Sequence, residues 1–589
     1  MRFAHLVCAP HRILALPAFV FFLAPLGMAP PAQAQQQFRV QFGVQTPMRD
    51  AVNLSSDIWL PKEPGRYPSI LVRTPYIKSS GDLGLPAMAQ SYAEHGYVFV
   101  VQDTRGRGDS GGEFDFFFSE AHDGYDSIEW MAAQPWSNGK VGMLGVSYLG
   151  TVQWLAAREH PPHLVCIAPT APAGLYLNEI PYQGGAFLLE WAIHWLNGTS
   201  EHAEQGADAA GLDMKEIFKH RPLLTMDEAF GRRLRLYREF LEHDTLDDYW
   251  KRIQFTEEDF KKLDIPALTV TGWFDGDQPG ALYYWRSLRK FSPGRDNQYL
   301  LAGPWTHVQT FMGGEQHLGD FEFSGDSIYD LKSVRMAFFD HFLKGSAAKF
   351  DFPRARIYVM GSNKWVDLAD YPPAAAETRA LYFHSGGKAN TLGGDGRLSW
   401  EAAKDEPSDH YTYFPENPVT PAEGEGPGTD QRYIERRDDV LVYTSDTLKE
   451  PVETVGKVFV HVFAASDARD TDFTARLLDV FPDGRALQLG PRAAGIIRAR
   501  YRNSVEHTEL LTPGKTEHYQ IELYDIAYTF LPGHKIRVEI SSSYAPTFNP
   551  NSNTGSPVAT DMESRPAKQT IFHEGDADSY VALPVMPNQ

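Results

Sequence analysis

The sequence predicts an α/β architecture: a mostly parallel sheet with helices on its faces, a helical insertion above that sheet, and an all-β C-terminal domain. Three observations carry this. In the first third of the chain short apolar runs alternate with helical patterns at the spacing of βαβ units. Between Gly174 and Lys262 the strand patterns give way to polar, helical segments rich in Glu, His, Arg and Trp. Beyond Phe350 strand-like segments return, separated by Gly, Pro, Asn and Asp turns, the texture of a sandwich or jelly roll.

Each element follows from its local pattern. Residues 67–73 and 97–103 are short apolar strand candidates, and 123–134 has helical spacing with Ile128, Trp130 and Met131 on its inner side. An apolar, glycine-punctuated strand over 140–146 is followed by a helix from Thr151 and by a further strand over 164–169. After the insertion the α/β pattern resumes at 265–275 and 297–303. Residues 354–360, 458–464, 473–480 and 536–542 read as strands of the β domain. The chain thus divides into residues 1–34, a sheet domain from 38–174 and 262–350, a helical cap from 175–261, and a β domain from 352–589.

At 589 residues, 42% hydrophobic and 13% aromatic, the chain can bury large cores and is neither disordered nor fibrous. Its first 34 residues differ from the rest. Arg2 and Arg12 supply positive charge, 13–28 is almost wholly apolar, and Ala32-Gln33-Ala34 offers a small-x-small cleavage site. This reads as a secretory signal peptide, too short and wrongly flanked for a membrane anchor. The expected location is secreted or periplasmic, after cleavage near Ala34. Cleavage removes two arginines and no acid, so the formal charge of −21 becomes −23. That balance argues against nucleic acid or an anionic membrane as partner. Cys8 leaves with the leader, and Cys166, alone in the apolar run Leu164-Val165-Cys166-Ile167-Ala168, reads as an inert core thiol.

The richest stretch is Gly142-Met143-Leu144-Gly145-Val146-Ser147-Tyr148-Leu149-Gly150. Ser147 falls where a buried strand turns sharply into a helix, the geometry of a nucleophile elbow. Small residues at 145 and 150 let the turn pass close to its neighbours and aim the helix N-terminus at the hydroxyl. A G-x-S-x-G search misses the site, because Leu149 stands where the second glycine belongs.

A serine nucleophile needs an imidazole to take its proton and a carboxylate to hold that imidazole in the useful tautomer. In α/β hydrolases the chain order is Ser, acid, His, with both partners on loops after later strands. Asp275 follows the strand ending in Trp273-Phe274, and His307 follows the strand ending in Gly303-Pro304-Trp305-Thr306. Asp277 is the competing acid, and His317 and His341 are the competing bases. The tetrahedral oxyanion needs two donors. The backbone N–H of Tyr148 is one; from the early loop Arg73-Thr74-Pro75-Tyr76, the Tyr76 hydroxyl is a candidate for the other.

Taken together, Arg73-Thr74-Pro75-Tyr76, the 102–112 loop containing Arg105-Gly106-Arg107-Gly108-Asp109, the Gly145–Gly150 elbow, Gly272-Trp273-Phe274-Asp275, Gly303-Pro304-Trp305-Thr306-His307 and Phe339-Asp340-His341-Phe342-Leu343-Lys344-Gly345 resemble the cocaine esterase family of serine hydrolases. Its relatives include α-amino acid ester hydrolases, glutaryl and cephalosporin acylases and bacterial Xaa-Pro dipeptidyl peptidases. The resemblance implies an α/β-hydrolase domain, a helical cap inserted after the sixth strand and a C-terminal β jelly roll. It also implies Ser147, Asp275 and His307 as a catalytic triad with Tyr76 and Tyr148 as the oxyanion hole. The sequence itself holds no His-x-x-x-His or paired-Cys cluster, so no cofactor or metal is expected.

Substrate choice is written less clearly. In the α-amino acid ester hydrolases carboxylates bind the substrate ammonium, two of them shortly after the triad aspartate. Here Asp277 is present but Gln278 replaces the second acid, and Glu179 is a loose match for the acid near the cap. The cap aromatics Tyr176, Tyr182, Phe187, Trp191 and Trp195 are candidates for an acyl pocket. The expected partner is a small-molecule ester or amide, with an Xaa-Pro dipeptide amide as one alternative and a non-catalytic carbohydrate-binding role as another. Homo-oligomerisation is left open.

Overall fold

The structure, a computed structural model, describes residues 37–81, 83–203, 211–345, 350–422, 426–491 and 495–587. The expected leader, 1–34, lies outside them. The first six strands of the described residues are β1 (Phe38–Pro47), β2 (Asn53–Pro61), β3 (Tyr67–Thr74), β4 (Val98–Asp103), β5 (Ser137–Val146) and β6 (Leu164–Thr170). A short hairpin, β7 (Tyr182–Gln183) and β8 (Ala186–Phe187), lies within the insertion. Then come β9 (Ala267–Phe274), β10 (Gln298–Thr306), the hairpin β11 (His317–Leu318) and β12 (Phe321–Glu322), and β13 (Ala355–Val359) with β14 (Lys364–Leu368).

Ten of these make one sheet, ordered β1-β2-β4-β3-β5-β6-β9-β10-β13-β14. Neighbours from β4 through β13 pair in parallel, while β1, β2 and β14 are antiparallel additions at the edges. The parallel strands are buried on both faces, which is why β4 (Val98–Asp103) opens on four apolar residues in a row and β9 (Ala267–Phe274) is interrupted only by Thr269, Thr271 and Gly272. Helices Leu85–Glu94, Glu120–Ala132, Tyr148–Arg158, Gln278–Phe291 and Leu331–Phe342 accompany them.

Besides edge strands that the sequence reading did not anticipate, two elements lie where it expected something else. The insertion carries the β7–β8 hairpin where only helices were expected. Strand β13, expected to open the β domain, instead lies parallel to β10, with Leu300 opposite Ala355. Its apolar residues belong to one core that the two domains share. Ile357 and Val359 pack with Trp273 and Leu300 of the sheet domain and with Phe473 and Val538 of the β domain. No local pattern distinguishes the two sheets for such a strand.

Helices Leu189–Thr199, Met214–Ile217, Met226–Ala229, Arg235–Glu242, Asp248–Lys251 and Glu257–Lys262 occupy the insertion between β6 and β9. They are capped where the sequence allows: Asp213 accepts from the Lys215 and Glu216 amides, and Thr256 forms a reciprocal capping box with Asp259. Their apolar faces, including Leu196, Phe240 and Trp250, continue the core that holds Ile70, Leu144 and Leu155.

Among the described residues, twelve strands between Glu377 and Val585 form the C-terminal jelly roll. The long pair Val452–Ser466 and Glu517–Phe530 is antiparallel, and the first alternates buried and half-buried residues as one-faced packing requires. The jelly roll is tied to the sheet domain just past the C-terminal end of β9. Gln278 donates to the Asp525 carbonyl (3.0 Å) and accepts from the Asp525 amide (2.8 Å), and Arg286 pairs with the Asp525 carboxylate. Among the described residues no helix is long and apolar enough to cross a membrane.

Candidate active site

Ser147 ends β5 and opens the helix Tyr148–Arg158 at φ 62°, ψ −127°, a conformation a non-glycine residue keeps only when its surroundings enforce it. They do so here. The Ser147 N–H donates to the Thr170 carbonyl on β6 (2.9 Å), and the Ser147 carbonyl accepts from the Gly150 and Thr151 amides (2.8 and 3.0 Å). The two flanking glycines make the turn sterically feasible. A Cβ on Gly145 would stand 2.3 Å from the Leu149 Cβ, and one on Gly150 would stand 2.6 Å from the Thr170 carbonyl oxygen.

Parallel pairing of β9 with β10 brings Gly272 opposite Gly303, so the residues just past both strands emerge side by side. The first of them, Asp275, is fully buried, and its carboxylate accepts from the Thr271 hydroxyl (3.1 Å) and the Asp277 amide (3.0 Å). His307 Nδ1–H donates to the same carboxylate at 2.7 Å. The Asp277 carboxylate stands 3.8 Å from that nitrogen, too far for a hydrogen bond. Geometry therefore favours Asp275 over Asp277 as the orienting acid. Burial alone would lower the His307 pKa, but Asp275 and Asp277 outweigh it and raise the imidazole to about 9. Asp277 is itself pushed up, chiefly by burial and also by Asp275, against the pull of His307.

Ser147, His307 and Asp277 line one cavity of about 380 Å³ together with Tyr76, Tyr148, Phe116, Phe117, Ala173, Ile180, Trp191, Trp195 and Gly276. The rival bases are elsewhere. His317 is exposed on β11, and His341 packs edge-on against Phe342 on the helix Leu331–Phe342. Tyr148 puts its amide at the helix N-terminus directly after Ser147. Its ring is buried, stacked on Phe117 at 4.5 Å, with the hydroxyl 2.6 Å from the Phe116 carbonyl. Tyr76 is half-buried at the cavity wall, and its hydroxyl accepts from Trp195 Nε1–H at 3.1 Å.

Two of the substrate-binding candidates stand away from that role. The Tyr182 hydroxyl donates to the Phe240 carbonyl (2.8 Å), and the residue, buried in the cap core, lines no part of the cavity. Glu179 is buried, and its carboxylate accepts from three backbone amides: Gly174 (2.7 Å), Leu175 (2.9 Å) and Gly280 (2.8 Å). It staples the loop after β6 to the start of the helix Gln278–Phe291. Gln278 is equally committed, since its reciprocal bonds to Asp525 need an amide that both donates and accepts. Asp277 and Trp191, by contrast, face the cavity. Cys166 is buried and its thiol pushed well above the usual range by that burial, as befits a packed core residue.

The sequence reading missed the aromatic loop. Phe116, itself at φ 63°, and Phe117 form a wall of the cavity, and the run Phe116-Phe117-Phe118 was the available signal. It quoted Arg107 within the 102–112 loop but gave it no role; its buried guanidinium donates to the Pro75 carbonyl (2.5 Å) and the Gly198 carbonyl (3.0 Å). Arg107 thereby joins the Tyr76 loop to the end of the cap helix Leu189–Thr199.

Comparison with known proteins places the chain in a family. Residues 50–309 match the X-Pro dipeptidyl-peptidase (S15) family, and residues 348–582 match the X-Pro dipeptidyl-peptidase C-terminal non-catalytic domain. The chain is 35% identical to the cocaine esterase of Rhodococcus sp. (strain MB1 Bresler), over 93% of this chain and 99% of that protein. An aminopeptidase from a marine sediment Thaumarchaeota archaeon superposes with a TM-score of 0.83 at 26% identity, covering 95% of this chain and 98% of that one. An α-amino acid ester hydrolase does so at 0.82 and 27% identity, covering 96% and 99%. The chain is thus a serine hydrolase that belongs, with cocaine esterase, to the X-Pro dipeptidyl-peptidase (S15) family.

Proposed function

We propose that this protein is an exported esterase working through an acyl-enzyme, with Ser147 as nucleophile, His307 as general base and Asp275 as the residue that orients it. The observation that carries this reading is the convergence of Ser147, on its strained turn, and His307, held at 2.7 Å by Asp275, on one cavity. His307 takes the Ser147 proton as Oγ bonds to the acyl carbon. The carbonyl oxygen, now negative, is received by the Tyr148 amide and the Tyr76 hydroxyl. Collapse expels the alcohol, which leaves with the proton from His307, and water repeats the sequence on the acyl-enzyme.

Phe116, Phe117, Ile180, Trp191 and Trp195 give the cavity apolar walls, and about 380 Å³ suits a compact aryl or branched acyl group. A relative named cocaine esterase supports ester over amide substrates. A second reading, an α-amino acyl substrate, is favoured by Asp277, the carboxyl group that faces the cavity. Export is supported by the charged, apolar and small-residue pattern of residues 1–34.

The test compares kcat/KM of the chain from residue 35 onward on p-nitrophenyl benzoate, an α-amino acyl p-nitrophenyl ester and an Xaa-Pro p-nitroanilide. The aryl ester is expected to be the best of the three. Cleavage confined to the Xaa-Pro amide, or none, would overturn the reading.

A further inference from the structure

Arg335 points from the helix Leu331–Phe342 into the protein and is only 4% exposed. Among the described residues no carboxylate lies within 4 Å of its guanidinium; Nη2 donates to the Thr170 hydroxyl (2.9 Å), and the Thr310 and Phe311 carbonyls stand at 3.5 Å. Its Nε–H has no partner at all. A buried cation is costly unless it is paired, and this one is held loosely. Burial accordingly pulls its pKa down to about 10.

Arg335 opens onto a cavity of about 340 Å³ that shares no residue with the catalytic one. Met88, Tyr92, Phe311 and Leu331 give it apolar walls, and Lys332 adds a second cation. Asp330, at the same rim, is engaged in capping: its carboxylate accepts from the Ser333 amide (3.0 Å) and hydroxyl (2.6 Å).

We propose that this cavity is a second ligand site, taking a small carboxylate with an apolar body whose charge pairs with Arg335 and Lys332. The apolar walls favour such a molecule over a bare inorganic anion. The site is linked to the catalytic one through two residues. Thr170, whose hydroxyl holds Arg335, gives its carbonyl to the Ser147 amide, and the Thr310 hydroxyl donates to the His307 carbonyl (2.6 Å). An acid released by ester hydrolysis is a ligand of the right class, so the site is placed to sense product; this last point alone rests on the proposed esterase reading.

The test blocks the catalytic cavity with a fluorophosphonate and titrates the blocked protein with benzoate by calorimetry, using benzamide and inorganic phosphate as comparators. The expected result is one benzoate per chain, with both comparators silent. Arg335→Lys should weaken benzoate by about tenfold or more, because a lysine cannot reproduce a planar, forked pairing. Ala87→Trp, an exposed cavity-wall position, should fill the mouth and abolish binding with the melting temperature retained. Absence of benzoate binding, equal binding of benzamide, preference for phosphate, or an affinity unchanged in both variants would overturn the proposal. Labelling reports separately on the esterase reading: a protein that resists the probe yet binds benzoate through Arg335 keeps this site and loses the Ser147 assignment.

Discussion

The indole Nε1–H of Trp195 donates to the Tyr76 hydroxyl at 3.1 Å. Indole nitrogen is a donor only, so Tyr76 is the acceptor there and its own hydrogen is directed to another group. In the proposed reaction that group is the acyl oxyanion. Tyr76→Phe is expected to lower kcat by about 10²–10³ with little change in KM. Trp195→Phe keeps most of the apolar wall, loses the donor, and should lower kcat by roughly tenfold. In the Tyr76→Phe background the Trp195→Phe change should have almost no further effect on kcat, a coupling that steady-state kinetics of the four proteins would read directly.

The pH dependence follows from the two carboxylates around His307. The base must be neutral to act, and Asp275 and Asp277 raise its pKa to about 9, so kcat/KM should climb as pH rises through that value. Asp277→Asn removes one of the two raising charges and should move the acid limb to lower pH. The stabilising pairing runs the other way: with a folded pKa above the unfolded value of 6.5, it is complete below about pH 6.5 and lost as pH rises through about 9. A pH–rate profile of the wild type and Asp277→Asn checks the first point; an unmoved limb would contradict it.

Glu179 acts on stability in this account. Its three amide donors need an acceptor on both oxygens, and Glu179→Gln would set an NH₂ against a backbone N–H. A loss of about 2–4 kcal/mol is expected, read as a lower urea midpoint. The preference between α-amino acyl and aryl esters should be unchanged by this variant. A large, selective rise in KM for the amino ester would instead make Glu179 an ammonium ligand.

Much of the site was legible because it is local. The elbow around Ser147 is a short-range pattern, and Asp275 and His307 each sit directly past a strand whose apolar run marks its end. What escaped depends on long-range contacts. Strand β13 joins the first sheet through pairing with β10, which its own residues do not announce. The edge strand Phe38–Pro47 is mostly exposed and has none of the apolar density that marked the central strands. Glu179 resembled a substrate ligand in sequence, but three amides from separate segments give it a different task. Tyr182 was one aromatic among many, and only the fold shows that its hydroxyl meets Phe240. Gln278, which looked like a missing acid, is fixed by the jelly roll's Asp525.

The central claim is that Ser147 is activated by His307, and labelling of the protein with a fluorophosphonate, mapped by mass spectrometry and repeated on His307→Ala, tests it most directly. The account predicts stoichiometric modification of Ser147 that falls by several orders of magnitude in rate in the variant. No labelling, labelling at another residue, or an equal rate in His307→Ala would contradict it.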